Sequence, residues 1–177
     1  MAERPLLTEA MNLYTDYYLR IRDMRPDFAD DLLREALRCY ATEAHTAVCV
    51  VCRVAVEEEL KEIHELLVTL SDHSTWQPVE RMQLESLKEW AHALRIINGK
   101  QTVTIEKIQG RGNRSAHGPT ADIWKQLRRR KTQKDLAQPL EIWADQQDAR
   151  SQIQAAAQVL RQLKAKKDQI NRLRRIP

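Results

Sequence analysis

Two side chains that can bind a phosphodiester and transfer protons to or from it lie six positions apart in the second half of this 177-residue chain. Arg111 offers a planar fork of donors for phosphate oxygens, and His117 titrates near neutral pH, so that it can give or take a proton. Asn113 can orient either group. If a helical turn begins at Asn113, that residue and His117 share one face, because residues four apart are neighbours on a helix, and Arg114 lies one position round.

A structural interpretation of the same segment stays open. Gly110 to Pro119 holds three of the four glycines of the chain. Glycine is costly inside a helix and is used where the backbone must turn or approach another segment closely. On the residues alone we expect a Gly-rich turn between helices, in which Asn113 caps a helix and His117 bonds to the backbone.

The elements that must position this segment are predicted to be helices. Only four Gly, 5% aromatic and 31% charged residues argue against a sandwich, barrel or propeller, which need turn residues and alternating β-branched side chains. Apolar residues recur instead every three or four positions, as in an amphipathic helix. This spacing predicts helices over residues 8–24, 28–41, 42–70, 78–99 and 104–109. It also predicts a basic helix after Pro119 that contains Trp124 and residues 128–131, and a last helix that starts at about residue 140 or 145.

The predicted fold class is an all-α helical bundle with a long C-terminal helix. The length fits one domain over residues 1–177. Within it we expect an N-terminal helix over 8–24, a core over 28–118, a basic insertion over 119–148 and the C-terminal helix over 149–175.

Net charge differs sharply between the two halves of the chain. Residues 1–90 carry 10 Lys and Arg against 18 Asp and Glu, a balance of −8, and residues 91–177 carry 19 against 7, a balance of +12. The basic half is therefore expected to face a polyanion, or to face the acidic half of its own fold or of a partner. The basic side chains predicted to contact phosphate are Arg114, Lys125, Arg128, Arg129, Arg130 and Lys131. A helix surface that faces water explains the densest run equally well.

Two clusters have ligand-like residue types, but we predict no metal and no cofactor. Cys49 and Cys52 form a single C-x2-C pair in the most apolar stretch; one pair cannot complete a tetrahedral site, and core packing is expected. Five glutamates crowd residues 57–65, without a second acidic cluster to complete a hard-cation site. They are expected to face solvent or to receive the basic C-terminal half.

No membrane segment is expected. The longest apolar run, residues 47–56, contains Arg53 and is too short for a span. The N-terminus places acid and Pro where a signal peptide needs a basic start and an apolar block. Three cysteines are an odd count in such a chain, so we expect a reducing, cytoplasmic location.

The segment from Arg111 to His117 resembles the R-x4-6-H signature of the HEPN superfamily, with five residues between the Arg and the His. More narrowly, it is similar to a family of bacterial HEPN-like domains whose signature runs Arg, Gly-Asn, two or three residues, then Ala-His. Gly112-Asn113 and Ala116-His117 match that pattern.

A second stretch, within residues 36–60, resembles the same family's Glu-Ala, Cys-Tyr, Ala-x2, Arg-x2-Leu-Glu pattern. Arg53 and Glu57 stand at the positions of its Arg and Glu. The likeness covers roughly residues 28–118 and the final helix.

The resemblance implies a four- or five-helix bundle that dimerises about a two-fold axis and acts as a metal-independent RNase. In this interpretation His117 is the acid and base, Arg111 and Arg114 clamp the phosphate, and Asn113 positions His117 or the scissile group. A two-fold interface presents two copies of His117, one for each proton transfer. The implied partners are RNA, a second copy of the chain, and an antitoxin or other defence-system protein, in phage defence or toxin–antitoxin biology.

The departures from the family pattern leave alternatives open. Gly112 stands where active members have a polar residue, so either Arg111 is the motif Arg with a longer spacing or Arg114 does part of its work. Two other functions are weighed: a non-catalytic module that binds nucleic acid or a partner protein, and a plain structural bundle. A coiled coil in the C-terminal helix is disfavoured because Lys167 interrupts its apolar seam.

Overall fold

The fold is all-helical throughout the part of the chain that the computed structural model describes, which is residues 5–21, 27–70, 78–117 and 144–174. These ranges contain six α-helices, one short 3₁₀ helix and no strand, which confirms the predicted fold class and the long C-terminal helix. The helices are α1 (Pro5–Ile21), α2 (Phe28–Ala41), α3 (His45–Leu70), α4 (Leu84–Ala93), α5 (Gly99–His117) and α6 (Gln146–Arg174), with the 3₁₀ helix at Val79–Arg81.

Helix α2 forms where the sequence predicts it, because its start is fixed by a capping box. The Asp30 backbone N–H donates to Asp27 Oδ1 at 3.2 Å, and the Asp27 N–H donates to Asp30 Oδ2 at 2.9 Å. The helix ends at Ala41, and Thr42 and Glu43 form the turn to α3, with Glu43 in the left-handed region at φ 65°. Thr42 thus belongs to this turn, and α3 begins at His45 rather than at the predicted position 42.

Helix α3 is the centre of the bundle and packs against α2, α5 and α6. Its fully buried face includes Val48, Val56, Leu60 and Ile63. Cys49 and Cys52 are also fully buried and are free thiols, which confirms the prediction that they pack in the core. Two long helices, α5 and α6, are thereby fixed on the same central element.

The prediction for residues 78–117 is wrong in its boundaries. A single helix was expected over 78–99, then a short one over 104–109 and a turn from Gly110. Instead α4 ends at Ala93, and α5 runs without interruption from Gly99 to His117. Asn98 starts α5 by a reciprocal cap: its N–H donates to Gln101 Oε1 at 2.7 Å, and its Oδ1 accepts from the Gln101 N–H at 3.1 Å.

The terminal helices differ from their predicted ranges by a few residues. Helix α1 begins at Pro5 rather than 8, and residues 22–26 lie outside the described part of the chain. Helix α6 begins at Gln146 rather than 149, because Asp145 and Asp148 cap its first turn. Residues 118–143, most of the predicted basic insertion, also lie outside the described part. Among the described helices, none combines the length and the hydropathy that a membrane span requires.

Candidate functional site

The residues of the predicted site lie on the last two turns of α5, which ends at His117. Each helical residue advances by about 100°, so Asn113 and position 117 lie on one face, about 40° apart. Arg114 lies between position 117 and Arg111, about 60° from each. Arg114 is exposed and Asn113 is half-buried. Arg111 lies about a third of a turn away from position 117, on the side facing α3 and α6. Six-residue spacing therefore does not bring Arg111 and His117 onto a common face of this helix.

Arg111 is held between α3 and α6, with only 22% of its side chain exposed. Its guanidinium Nη2 forms an ion pair with Asp148 Oδ2, in the first turn of α6. It also hydrogen-bonds to the thiol of Cys49 on α3. Burial raises the pKa of Cys49, and the hydrogen bonds from Ser115 and Arg111 only partly offset this effect. The thiol is therefore a neutral packing partner of Arg111 at physiological pH.

Gly112 lies where α5 packs closely against α3. A Cβ at this position would lie 2.6 Å from Arg53 Cβ and 3.0 Å from the backbone oxygen of Cys49. Beside it, Arg53 Nη2 donates to Glu57 Oε2 at 3.1 Å, so Arg53 forms an ion pair within α3 next to this contact. The glycine after Arg111 is therefore required by packing, which explains a helix that continues through a Gly-rich segment.

Replacing Gly112 with Ala should destabilise the protein, whereas the same change at Gly110 should stabilise it. A Cβ on Gly112 overlaps the backbone and Cβ of α3, and overpacking of this kind costs about 1–3 kcal/mol. Gly110 has nothing within 4 Å of an added Cβ, so G110A gains about 0.5–1 kcal/mol of helix propensity. Urea midpoints of the two variants measure the difference, and equal midpoints would contradict the close approach of the two helices.

The basic residues predicted to contact phosphate are only partly placed by the structure. Arg114 is exposed on α5, between position 117 and Arg111 around the helix axis. Lys125 and the run Arg128, Arg129, Arg130 and Lys131 lie outside the described residues. Part of the charge asymmetry is internal to the fold, since Arg150 of α6 pairs with Glu9 of α1 at 2.9 Å.

A buried cluster of charged side chains joins α2, α3 and α6 on the other end of the bundle; we call it the ion cluster. It consists of Asp27, Asp30, Glu59, Glu62, Lys164 and Lys167. Lys164 contacts Asp27, Asp30 and Glu59, and Lys167 contacts Asp27, Glu59 and Glu62. Glu59 and Glu62 therefore receive lysines of the basic C-terminal half, whereas Glu57 and Glu58 pair with Lys61 of their own helix.

The ion cluster corrects the prediction that no second acidic group meets the glutamates of α3. Asp27 and Asp30 arrive from the start of α2, and oxygens of Asp27, Glu59 and Glu62 lie within 4.8 Å of one another, close enough to share a cation. The ammonium groups of Lys164 and Lys167 supply positive charge to these carboxylates. Lysine charge therefore accounts for the cluster without invoking a metal ion.

The pKa values in the ion cluster move in opposite directions. Burial raises the pKa of Glu59 to about 7, and the two lysines offset only part of this effect. Burial also raises the pKa of Asp27, but its hydrogen bonds to Lys164 and Lys167 outweigh this effect, so the pKa is lowered. The pKa of Tyr17 is raised by burial and by its hydrogen bond to Asp30. One carboxyl of the cluster thus titrates near neutral pH while another stays ionised.

Similarity to known proteins does not identify a function for this chain. No family model, curated protein or solved structure matches the chain. The function therefore has to be inferred from the geometry of α5 and its contacts.

The raised pKa of Glu59 predicts that the protein loses stability as the pH rises towards neutrality. Its pKa is higher in the folded state, about 7, than the ordinary 4.5, so its stabilising contribution is complete below 4.5 and disappears as the pH passes 7. At about 1.4 kcal/mol per pKa unit, the unfolding free energy of the wild type relative to Glu59→Gln should fall by up to about 3 kcal/mol across this window. Asp27 acts in the opposite sense, but only in acid near its ordinary pKa of 3.8.

Urea unfolding of the wild type and Glu59→Gln at intervals of pH measures this effect. Glu65→Gln is the matched control, since Glu65 lies on the same helix with an exposed side chain outside the ion cluster. The control should keep the wild-type pH dependence. Parallel curves for the wild type and Glu59→Gln would show that Glu59 does not titrate in this range.

Proposed function

We propose that this protein is a metal-independent endoribonuclease of HEPN type, which cleaves RNA by attack of a 2′-hydroxyl at a site shared by two copies of the chain. The observation that carries the proposal is the placement of Asn113 and position 117 on one face of a continuous helix, with the exposed Arg114 one position round. This part of α5 combines an exposed guanidinium, an amide and the position of an imidazole. The resemblance of the segment to the HEPN signature supports the same reaction.

The proposed roles follow from the charges that RNA cleavage develops. The 2′-hydroxyl must lose a proton, the leaving 5′-oxygen must gain one, and the phosphorane needs positive charge nearby. His117 serves as base in one protomer and as acid in the other, because one imidazole cannot do both at once. Arg114 binds the phosphate, Asn113 orients the imidazole or the scissile group, and Arg111 adds its charge from the adjoining face.

A second copy is part of the proposal because the site is incomplete in one chain. An isologous two-fold interface presents the same patch twice, so it pairs two imidazoles and two sets of arginines across one cleft. The close packing of α5 on α3 at Gly112 fixes the helix that carries these groups. A rigid helix places them more precisely than the Gly-rich turn that the sequence predicts.

The test is cleavage of single-stranded RNA by the purified protein in excess EDTA. We expect shortened products that carry 2′,3′-cyclic phosphate ends, because the attacking oxygen belongs to the substrate. Cleavage that EDTA abolishes would contradict a metal-independent mechanism. Products with 3′-hydroxyl ends would contradict attack by the 2′-hydroxyl.

The second function is a non-catalytic module that binds nucleic acid or a partner protein through its basic half. The charge balance of +12 in residues 91–177 favours it, although Lys164, Lys167 and Arg150 are already paired within the fold. Such a module would bind RNA with a steep salt dependence and leave it uncut. Arg128→Glu would then weaken binding more than His117→Ala does.

A further inference from the structure

The ion pair between Arg111 and Asp148 joins the proposed site to the first turn of α6. Both side chains are partly accessible, at 22% for Arg111 and 37% for Asp148. The pair is thus partly open to solvent. Asp148 is the carboxylate partner of Arg111 within the described residues, so a phosphate that binds the exposed part of this guanidinium has to compete with it.

We infer that Asp148 restrains the proposed site: its carboxylate occupies the guanidinium of Arg111 until an RNA phosphate displaces it. The inference rests on the proposed function, since it concerns how the same site admits its substrate. A guanidinium binds carboxylate and phosphate through the same planar fork of donors. Two anions next to each other on one guanidinium repel, so the phosphate gains full contact only when the carboxylate withdraws.

Asp148 keeps the shorter bond of its helix cap when it releases Arg111. Its N–H donates to Asp145 Oδ1 at 2.7 Å, and this bond does not involve the carboxylate that Arg111 holds. Its Oδ2 pairs with Arg111 and also accepts from the Asp145 N–H at 3.3 Å, the longer of the two cap bonds. The start of a helix also favours negative charge, so the carboxylate remains stabilised there after the exchange.

The cap also supplies a matched pair of variants. Asp148→Asn removes the negative charge but keeps an oxygen that can accept the Asp145 N–H. Asp145→Asn removes the same charge from the same helical turn, at an exposed residue whose described side-chain bond is to Asp148. Both variants retain a capping side chain, because Asn and Asp cap helices about equally well. Only Asp148→Asn removes the carboxylate that pairs with Arg111.

The experiment measures the Kd of a fluorescent 2′-O-methyl RNA oligonucleotide, which binds but cannot be cut, at fixed low salt. We expect Asp148→Asn to bind about 3- to 10-fold more tightly than the wild type, as expected for removing a competing charge from one phosphate contact, and Asp145→Asn to change Kd by less than about twofold. In an Arg111→Gln background the gain from Asp148→Asn should vanish. A purely structural ion pair would give no gain in affinity and no dependence on Arg111.

The possible failures are distinguishable. Equal Kd values for the Asp148→Asn and Asp145→Asn variants, or a gain that persists without Arg111, would overturn the inference alone, provided that the wild type cuts unmodified RNA through His117. A wild type that neither binds the probe nor cuts RNA would overturn the proposed function and the inference together. The unfolding midpoints of both Asn variants should match the wild type within about 1 kcal/mol, which confirms that Kd reports binding.

Discussion

Replacing His117 with Ala should reduce RNA cleavage in EDTA by about 10²- to 10⁴-fold, the usual contribution of a positioned acid or base. The reason is that both proton transfers of the proposed reaction pass through this imidazole, one in each protomer. His117 lies in the final described turn of α5, and alanine is a good helix former, so the substitution keeps the helix. Initial rates on a labelled RNA, with the wild type and the variant at equal concentration, measure the loss.

The matched control for His117→Ala is His92→Ala. His92 is exposed in the last turn of α4, so its removal changes the same number of titratable groups away from the α5 face. We expect the control to cut RNA at the wild-type rate and both variants to unfold at the wild-type urea midpoint. A folded His117→Ala variant that still cuts within about tenfold of wild type would contradict the acid–base role of this residue.

Replacing Lys164 with Met should lower the free energy of unfolding by about 3–5 kcal/mol, a large part of the stability of a single domain. Lys164 is 2% exposed, and it contacts Asp27, Asp30 and Glu59, of which Glu59 is fully buried. Removing the ammonium leaves these carboxylates with less compensating charge in a largely buried site. The urea midpoint and its slope measure the effect.

Two further variants separate the ion cluster from general effects on α6. Lys166→Met changes the same residue type two positions away, where the described contact of Lys166 is an exposed one to Gln169 at 3.4 Å, and it should cost less than about 0.5 kcal/mol. Adding Glu59→Gln to Lys164→Met should recover part of the loss, because it removes the most deeply buried carboxylate. Equal midpoints for the Lys164 and Lys166 variants would contradict a stabilising role for the cluster.

The helical fold was predictable because apolar spacing alone determines it. Helix α2 matches its predicted range, since the Asp27 cap and the turn after Ala41 are both local signals. The buried Cys pair was predictable for the same reason, because it lies in the most apolar stretch of α3. Local propensity and tertiary packing favour the same structure in these segments.

The course of α5 was not predictable from its glycines. Each glycine disfavours a helix by about 1 kcal/mol relative to Ala, and the sequence does not show that α3 lies close enough to require Gly112. The cap at Asn98, with Gln101 three residues later, was a local signal for the true start of the helix. Tertiary contact therefore decides this element where propensity favours a turn.

The ion cluster was partly visible in the apolar pattern. Glu59 lies three residues after Val56 and four before Ile63, both fully buried, so its position on the inner face of α3 follows from helical spacing. Lys167 interrupts the apolar seam of the C-terminal helix, which indicates that its ammonium group faces the interior of the bundle. The pairing with Asp27 and Asp30 depends on how three helices meet, and no local pattern contains that information.

The central claim is attack by a 2′-hydroxyl at the α5 face, and a single-site substrate tests it most directly. The wild type in EDTA is given a DNA oligonucleotide that contains one ribonucleotide, beside an all-DNA copy of the same sequence. We expect a single cut immediately 3′ to the ribose, with a 2′,3′-cyclic phosphate on the 5′ fragment, and an intact all-DNA strand. Cutting of both oligonucleotides would contradict the account. It would also be contradicted if neither oligonucleotide were cut while all-RNA gave products without cyclic phosphate ends.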